Sequence, residues 1–292
     1  MTLEFRETTA EDASRVAALI SAFDAALSDD PEVTSAQDVR DWWLRDGDAR
    51  LVFDGDELVG FVFLQRRSER YDGDGYVHPD AFGRGVGAAI VDWIETRSRE
   101  LGSSETRVAV LGADARAACL LRNRGFTPIR SFFRMVADLD EYPAPVDWPA
   151  GFEVEQLHAG GERELYETVE ETFADHWGHT RRPYEEWLAS RRLEPELTFV
   201  VRAGGGDPAA AALCRREQFG MGWVDVLGTR PRFRRHGLGE ALLRHAFREL
   251  YARGARRVGL GVDAENPTGA TRLYERAGMR VAHRADVYAK TL

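Results

Sequence analysis

The residues best spaced for chemistry lie in one run late in the chain. Arg234, Gly237 and Gly239 stand as R-x-x-G-x-G within residues 223–240. Trp223, Val224, Asp225, Val226 and Leu227 precede them as a β-prone, mostly apolar stretch. Pro231 ends that strand, because proline donates nothing to a ladder. Residues 240–251 are helix-prone. Strand, glycine-bearing loop and helix start make an anion cradle. Its backbone N–H groups point outward, glycine lets an anion approach, and the helix dipole favours negative charge. A kinase-type phosphate loop needs a Lys after the glycines, and none is there. The dinucleotide pattern G-x-G-x-x-G is also missing at this place.

Other reactive residues are more scattered. His176 and His179 share the loop of residues 175–183, but the local sequence suggests no third ligand for a metal. They read as polar loop histidines. Cys119 and Cys214 are isolated, lack metal-ligand spacing and exclude a disulfide framework. Both read as small buried hydrophobes. Asp72-Gly73-Asp74-Gly75 lacks the later ligands of a calcium loop and is predicted to be a turn.

The 292 residues are enough for two ordinary domains. A formal net charge of −10 argues against a general nucleic-acid surface. Lys290 is the only lysine, so nearly all positive charge is arginine. No apolar run is long enough for a bilayer span and no secretory leader is evident, so a soluble cytoplasmic protein is expected.

The elements that must hold the cradle occur twice. Pro79 is followed by Gly85 and Gly87 as Pro231 is followed by Gly237 and Gly239. Each loop leads into a helix, a strand and a second helix, ending at Gly125-Phe126 and at Gly278-Met279. This is a repeat of domain size. The predicted fold is α/β, two tandem domains, each a mixed central β-sheet flanked by helices. The predicted boundaries are 1–138, a Pro-rich acidic linker at 139–150 carrying Pro143, Pro145 and Pro149, and 151–292. The linker is expected to make few contacts. Phe82 stands where the second copy has Arg234, Leu121 where it has Tyr274, and no Asn matches Asn266.

The R-x-x-G-x-G loop, then a strand, Asn266, and a helix ending Leu273-Tyr274-Glu275-Arg276-Ala277-Gly278-Met279 resemble the GNAT superfamily of acetyl-CoA-dependent N-acetyltransferases. The resemblance covers essentially the whole chain as a tandem pair. The layout, with a degenerate first half, is similar to the tandem mycothiol synthases. Two departures stand out: Met279 replaces the usual Phe, and the Asn-to-Tyr spacing is one residue longer than the commonest form.

The resemblance implies acetyl transfer from acetyl-CoA to an amine by direct attack, in the C-terminal half, with no metal. Leu227, Gly228 and Thr229 would hold acetyl and pantetheine, and their N–H groups would stabilise the oxyanion. Arg234, Arg235, His236, Gly237, Leu238, Gly239 and Glu240 would hold the pyrophosphate, with Asn266 nearby. Arg230 and Arg232 extend this basic island. Tyr274 would protonate the departing thiolate. Asp225, on one strand face with Leu227 and Thr229 by alternation, is the candidate base, with His176 as runner-up. His176 and Trp177 would shape the acceptor pocket for a small-molecule amine or a protein N-terminus. Val77, Arg84, Gly85 and Gly87 mark a second CoA site on backbone N–H groups, unless the first half is only a scaffold. A non-catalytic acyl-CoA sensor remains the alternative for the whole chain.

Overall fold

The structure is a computed structural model and describes residues 2–45, 47–67, 70–266 and 268–292. The first round of elements is β1 (Leu3–Glu7), α1 (Ala13–Leu27), α2 (Ala36–Trp42), β2 (Gly47–Asp54), β3 (Glu57–Arg67), β4 (Arg70–Val77), α3 (Val86–Glu100), β5 (Glu105–Leu111), α4 (Ala115–Asn123) and β6 (Thr127–Asp138). The second is β7 (Phe152–Gln156), α5 (Glu162–Phe173), α6 (Tyr184–Ser190), β8 (Thr198–Ala203), β9 (Pro208–Gln218), β10 (Met221–Thr229), α7 (Leu238–Ala252), β11 (Arg257–Asp263), α8 (Ala270–Arg276) and β12 (Arg280–Thr291). The same order appears twice, each time around a mixed sheet.

The chain forms two compact units: Met1–Phe133 with Asp263–Glu265 and Ala282–Leu292, and Arg134–Val262 with Asn266–Val281. These differ from boundaries drawn at 138 and 151. The reason is strand pairing: Ala285–Thr291 of β12 runs antiparallel to Leu111–Glu105 of β5 and so belongs to the first unit. Likewise β6 passes from the first unit to the second after Phe133. Sequence order alone does not reveal which sheet a last strand joins.

In the first unit the strand order is β1-β2-β3-β4-β5-β12-β6. Residues 72–75, expected as a turn, lie inside β4, where Gly73 faces Leu64 and Gly75 faces Val62 on β3. Their glycines answer to helix packing. A Cβ at Gly75 would stand 2.5 Å from Ile90 Cγ2 of α3, so only glycine lets the helix lie this close. The core gathers Val62, Leu64, Ile90, Ile94, Leu121 and Phe126.

In the second unit the order is β6-β11-β10-β9-β8-β7. Val200, Ala211 and Val226 face Leu165, Tyr166 and Val169 of α5 and Trp187 of α6. Residues 139–150 are irregular but are not a loose tether. Tyr142 packs edge-on against Tyr251 of α7 with centroids 5.3 Å apart, Trp148 meets His245 at 5.7 Å, and Arg248 donates to the Pro143 carbonyl. The two aromatic rings, which the proline and acid content masks, strap this stretch along α7.

Candidate active site

The site begins where β10 and β11 part. They pair in parallel only at Gly222–Val258 and Trp223–Gly259. Beyond Trp223, β10 carries a β-bulge: Val224 pairs with Cys214 and Val226 with Leu213, leaving Asp225 as the extra residue. The extra residue breaks the alternation expected to align Asp225 with Leu227 and Thr229. Arg230 N–H donates to Ala209 O at 2.9 Å, so the ladder to β9 uses Arg230 and, by alternation, Gly228. The N–H groups of Leu227 and Thr229 therefore point to the opposite edge, into the fork.

Two helices close on that edge. Gly228 lies directly under the last turn of α5, where an added Cβ would come 2.0 Å from Thr172 Cγ2 and 3.4 Å from the Phe173 ring. On the other side, a Cβ at Gly239 would lie 2.9 Å from Leu273 Cδ1 of α8 and 3.8 Å from Thr229 Oγ1. Thr229, the first turn of α7 and Leu273 of α8, the residue before Tyr274, thus meet at one place. Tyr274 is buried, and burial pushes its phenol up to about 12. It is a protonated donor across the ordinary pH range.

The cradle loop runs through a 3-10 turn at Pro231–Phe233 into α7. Arg235 and Gly237 both take the left-handed conformation, with φ of 69° and 80°. Among the described residues no carbonyl accepts from the backbone N–H groups of residues 235–240, the last of which begin α7. A run of unbonded donors at the start of a fifteen-residue helix suits an anion.

The side chain of Arg234 is not part of that surface. Its guanidinium donates to Asp175 at 2.6 and 3.1 Å, to Thr172 O at 3.1 Å and to Thr229 O at 3.3 Å. The hydrogen bond from Arg234 holds the Asp175 carboxyl below its usual range. Arg230 is similarly engaged, with Glu171 at 2.8 Å and Pro208 O at 3.0 Å, and Arg232 lies 3.4 Å from Asp207. His236 Nδ1 sits 3.1 and 3.0 Å from the Phe233 and Arg234 carbonyls, inside the loop. Asn266 accepts from Thr268 N–H at 2.8 Å and from its hydroxyl at 2.5 Å, forming the turn that leads to α8.

Asp225 is the largely buried centre of an ion-pair triad. Its Oδ2 lies 3.1 Å from Arg191 and 3.4 Å from Arg215. Trp223, two residues earlier, is buried beneath the guanidinium of Arg134, 4.5 Å from its ring. His176 stacks edge-on against Phe173 at 4.5 Å, and Trp177 beside it is exposed. His179 lies 3.2 Å from Glu170, a buried carboxylate on α5. Within Glu167-Thr168-Val169-Glu170-Glu171, Glu170 looks like part of a solvated acidic face. The nine-residue separation from His179 gives no motif to find it by. Among the described residues no group of three His, Cys, Asp or Glu is arranged to hold a metal. Among the described residues no helix is long and apolar enough to cross a membrane.

The first unit keeps the scaffold of this site and loses its side chains. β4 and β5 pair in parallel only over Tyr71–Gly73 and Thr106–Val108. Gly83 and Gly85 take φ of 77° and 85°. Phe82, in the place of Arg234, lies beneath the Arg116 guanidinium at 3.7 Å. Leu121, in the place of Tyr274, is core. Arg84 turns to Asp54 at 2.6 Å. Behind the loop is a largely apolar cavity of about 290 Å³, lined by Val77, Phe82, Gly85, Gly87, Leu120 and Leu121 among others.

The chain is similar to known proteins. The Acetyltransferase (GNAT) family model matches residues 163–279, and an Acetyltransferase (GNAT) domain model matches residues 45–128. Mycothiol acetyltransferase of Thermobispora bispora is 32% identical over 243 residues, 78% of each chain. That of Catenulispora acidiphila is 30% identical over 240 residues, 78% of this chain and 76% of its own. A crystal structure of a GCN5-related N-acetyltransferase from Sphaerobacter thermophilus superposes with TM-score 0.85 and 34% identity, covering 99% of this chain and 95% of that one. A tandem GNAT protein from the clavulanic acid biosynthesis pathway shares the fold at TM-score 0.74 and 17% identity, covering 99% of this chain and 98% of its own.

Proposed function

The chain belongs to the GNAT acetyltransferase family, and we propose that its C-terminal half moves the acetyl group of acetyl-CoA to a primary amine by direct attack. The observation that carries this reading is the fork of β10 and β11. Its open edge offers the Leu227 and Thr229 amides, its mouth offers unbonded amides at residues 235–240, and α8, which carries Tyr274, meets the first turn of α7 through Leu273.

The pantetheine arm extends the sheet along β10, and the pyrophosphate rests on the loop amides. A neutral amine attacks the thioester carbon, and the developing oxyanion accepts from the Leu227 or Thr229 N–H. As the tetrahedral intermediate collapses, the nitrogen gives its extra proton to solvent, the C–S bond breaks, the Tyr274 hydroxyl gives its proton to the thiolate, and solvent reprotonates Tyr274. Arg234 supports the loop from behind. Asp225 serves the fold, its carboxylate shared by two permanent cations.

The names of the relatives point to one acceptor to try first: the amine that acetylation converts to mycothiol. The first half is read as a non-catalytic holding site for a CoA thioester, on the strength of its cavity and its glycine loop. The test is acetyl-CoA-dependent thiol release with that amine and with a panel of other small amines. Release that tracks amide formation supports transfer. Tight acetyl-CoA binding without release to any amine would instead support a sensor.

A further inference from the structure

We propose that the cavity of the first unit binds an unbranched acyl chain longer than acetyl. This deepens, and rests on, the reading of that half as a holding site, by naming the chemistry it selects. The cavity measures about 290 Å³, and the residues that line it all belong to the first unit. That volume is near the lower end of small-molecule pockets. It lies between α3 and α4, where β4 and β5 part beyond Gly73 and Val108. Along α3 its wall runs from Val86, the first residue of the helix, to Ile94. At the rise of an α-helix that wall is about 12 Å long.

The polar groups of the cavity gather at one end. There the N–H groups of residues 85–88 meet no carbonyl among the described residues, and Asp114 and Arg116 stand at the start of α4. The Asp114 carboxylate is taken up by the N–H groups of Arg116 and Ala117, at 3.1 Å each, and the Arg116 guanidinium lies on the Phe82 ring at 3.7 Å. The rest is hydrocarbon. Ile90, Val91, Ile94, Val108 and Leu121 line it, each almost fully buried. Leu121 stands where the second copy has Tyr274, so alkyl replaces a hydroxyl at this depth.

The ligand that matches this lining is apolar along its length and polar at one end. A polar chain would leave its hydrogen bonds unmet against Ile94 and Leu121, and water there finds few partners. An alkyl chain gains by leaving water, and the gain grows with each methylene the cavity covers. The acyl oxygen at its head accepts from the amides of residues 85–88. A free carboxylate and a CoA thioester share this chain and this oxygen.

Gly87 supplies the blocking variant. A Cβ there would stand 3.6 Å from Leu120 Cδ2 and 3.9 Å from Val77 Cγ2, ordinary contacts with two residues of the lining. The residue lies within α3, where a side chain is favoured over glycine. The isoleucines supply the readout. The chain has four, Ile20, Ile90, Ile94 and Ile129, and of these Ile90 and Ile94 line the cavity. The second unit has none, so its own CoA site does not disturb the signal.

Butanoate, hexanoate, octanoate, acetyl-CoA and octanoyl-CoA are titrated into the full chain carrying ¹³C-labelled isoleucine methyls. Octanoate should shift Ile90 and Ile94 and leave Ile20 and Ile129 in place. Kd should fall by about two- to fourfold per methylene along the acid series. Gly87→Leu should weaken octanoate by roughly tenfold or more, with Gly87→Ala between it and the wild type. Octanoyl-CoA binding at these methyls more tightly than octanoate would support the chain and identify its source as a thioester. Binding of the free acid alone would support the chain and remove the CoA reading of this half. Equal Kd for acetyl-CoA and octanoyl-CoA at these methyls would keep the CoA reading and overturn the chain. A Kd that stays flat along the acid series, octanoate binding unchanged in Gly87→Leu, or no shift at Ile90 and Ile94 with any ligand would overturn it as well.

Discussion

Arg234 gives its guanidinium to Asp175, at 2.6 and 3.1 Å, and not to the mouth of the loop. The same side chain reaches the carbonyls of Thr172 and Thr229, so one arginine joins the end of α5, the end of β10 and the loop leading to α7. In the proposed function it would act on the anion through the backbone it positions. Asp175→Asn should therefore raise the acetyl-CoA Kd without removing any group from the CoA surface. Hydrogen bonds to charged groups contribute about 1.5–3 kcal/mol, which bounds the effect on the loop from above, because the pair is partly exposed. Calorimetric titration of Asp175→Asn checks this.

The sign of the pH effect follows from the same pair. The Asp175 carboxyl is held below its ordinary value by the hydrogen bond from Arg234. Its contribution is full above the unfolded value of about 4 and is lost as pH falls through the lower folded value. Thermal unfolding followed from pH 7 down to pH 3 should show this loss in the wild type, and Asp175→Asn should lack that part of the slope.

Asp225 makes a contrasting prediction. Its two arginines support the structural role proposed for it, and burial lowers the pKa of Arg191. Removing one partner of a largely buried charge cluster leaves uncompensated charge behind, a loss on the order of 3 kcal/mol. Asp225→Asn should lower Tm clearly while the acid limb of kcat/KM keeps its position in the folded protein. Denaturant melts alongside a pH–rate profile separate the two effects.

Tyr274 should act as an acid over the whole working range. Burial holds its hydroxyl up to about 12, so kcat should show no basic limb from this group below pH 10. Tyr274→Phe should lower kcat by roughly 10²–10⁴-fold and leave acetyl-CoA affinity almost unchanged. Single-turnover thiol release in the variant measures the chemical step directly.

The parts of this account that were legible in the sequence are those set by local pattern. Gly237 and Gly239 between a β-prone run and a helix-prone run are enough to find the cradle, and the same spacing at Gly85 and Gly87 is enough to find the repeat. What the pattern concealed was set by tertiary partners. Asp72-Gly73-Asp74-Gly75 has turn composition but is strand, because its glycines answer to Ile90 and Leu64 rather than to a bend. Arg234 sits where the motif wants it, yet its partner Asp175 is 59 residues away. Asn266, one residue out of the usual spacing, spends its side-chain oxygen on Thr268. The β-bulge at Asp225 depends on β9, so strand alternation read along β10 alone misaligned that residue.

The central claim is that chemistry belongs to the C-terminal half, and a pair of glycine substitutions tests it most directly. Gly237 and Gly85 hold equivalent loop positions, both left-handed, with φ of 80° and 85°. A β-branched residue is strained at either, so folding of each variant is first confirmed by circular dichroism. Acetyl-CoA-dependent thiol release is then measured at saturating amine. The account predicts that folded Gly237→Val loses turnover while folded Gly85→Val keeps the wild-type chemical step. Full turnover in Gly237→Val, or selective loss of the chemical step in Gly85→Val, would contradict it.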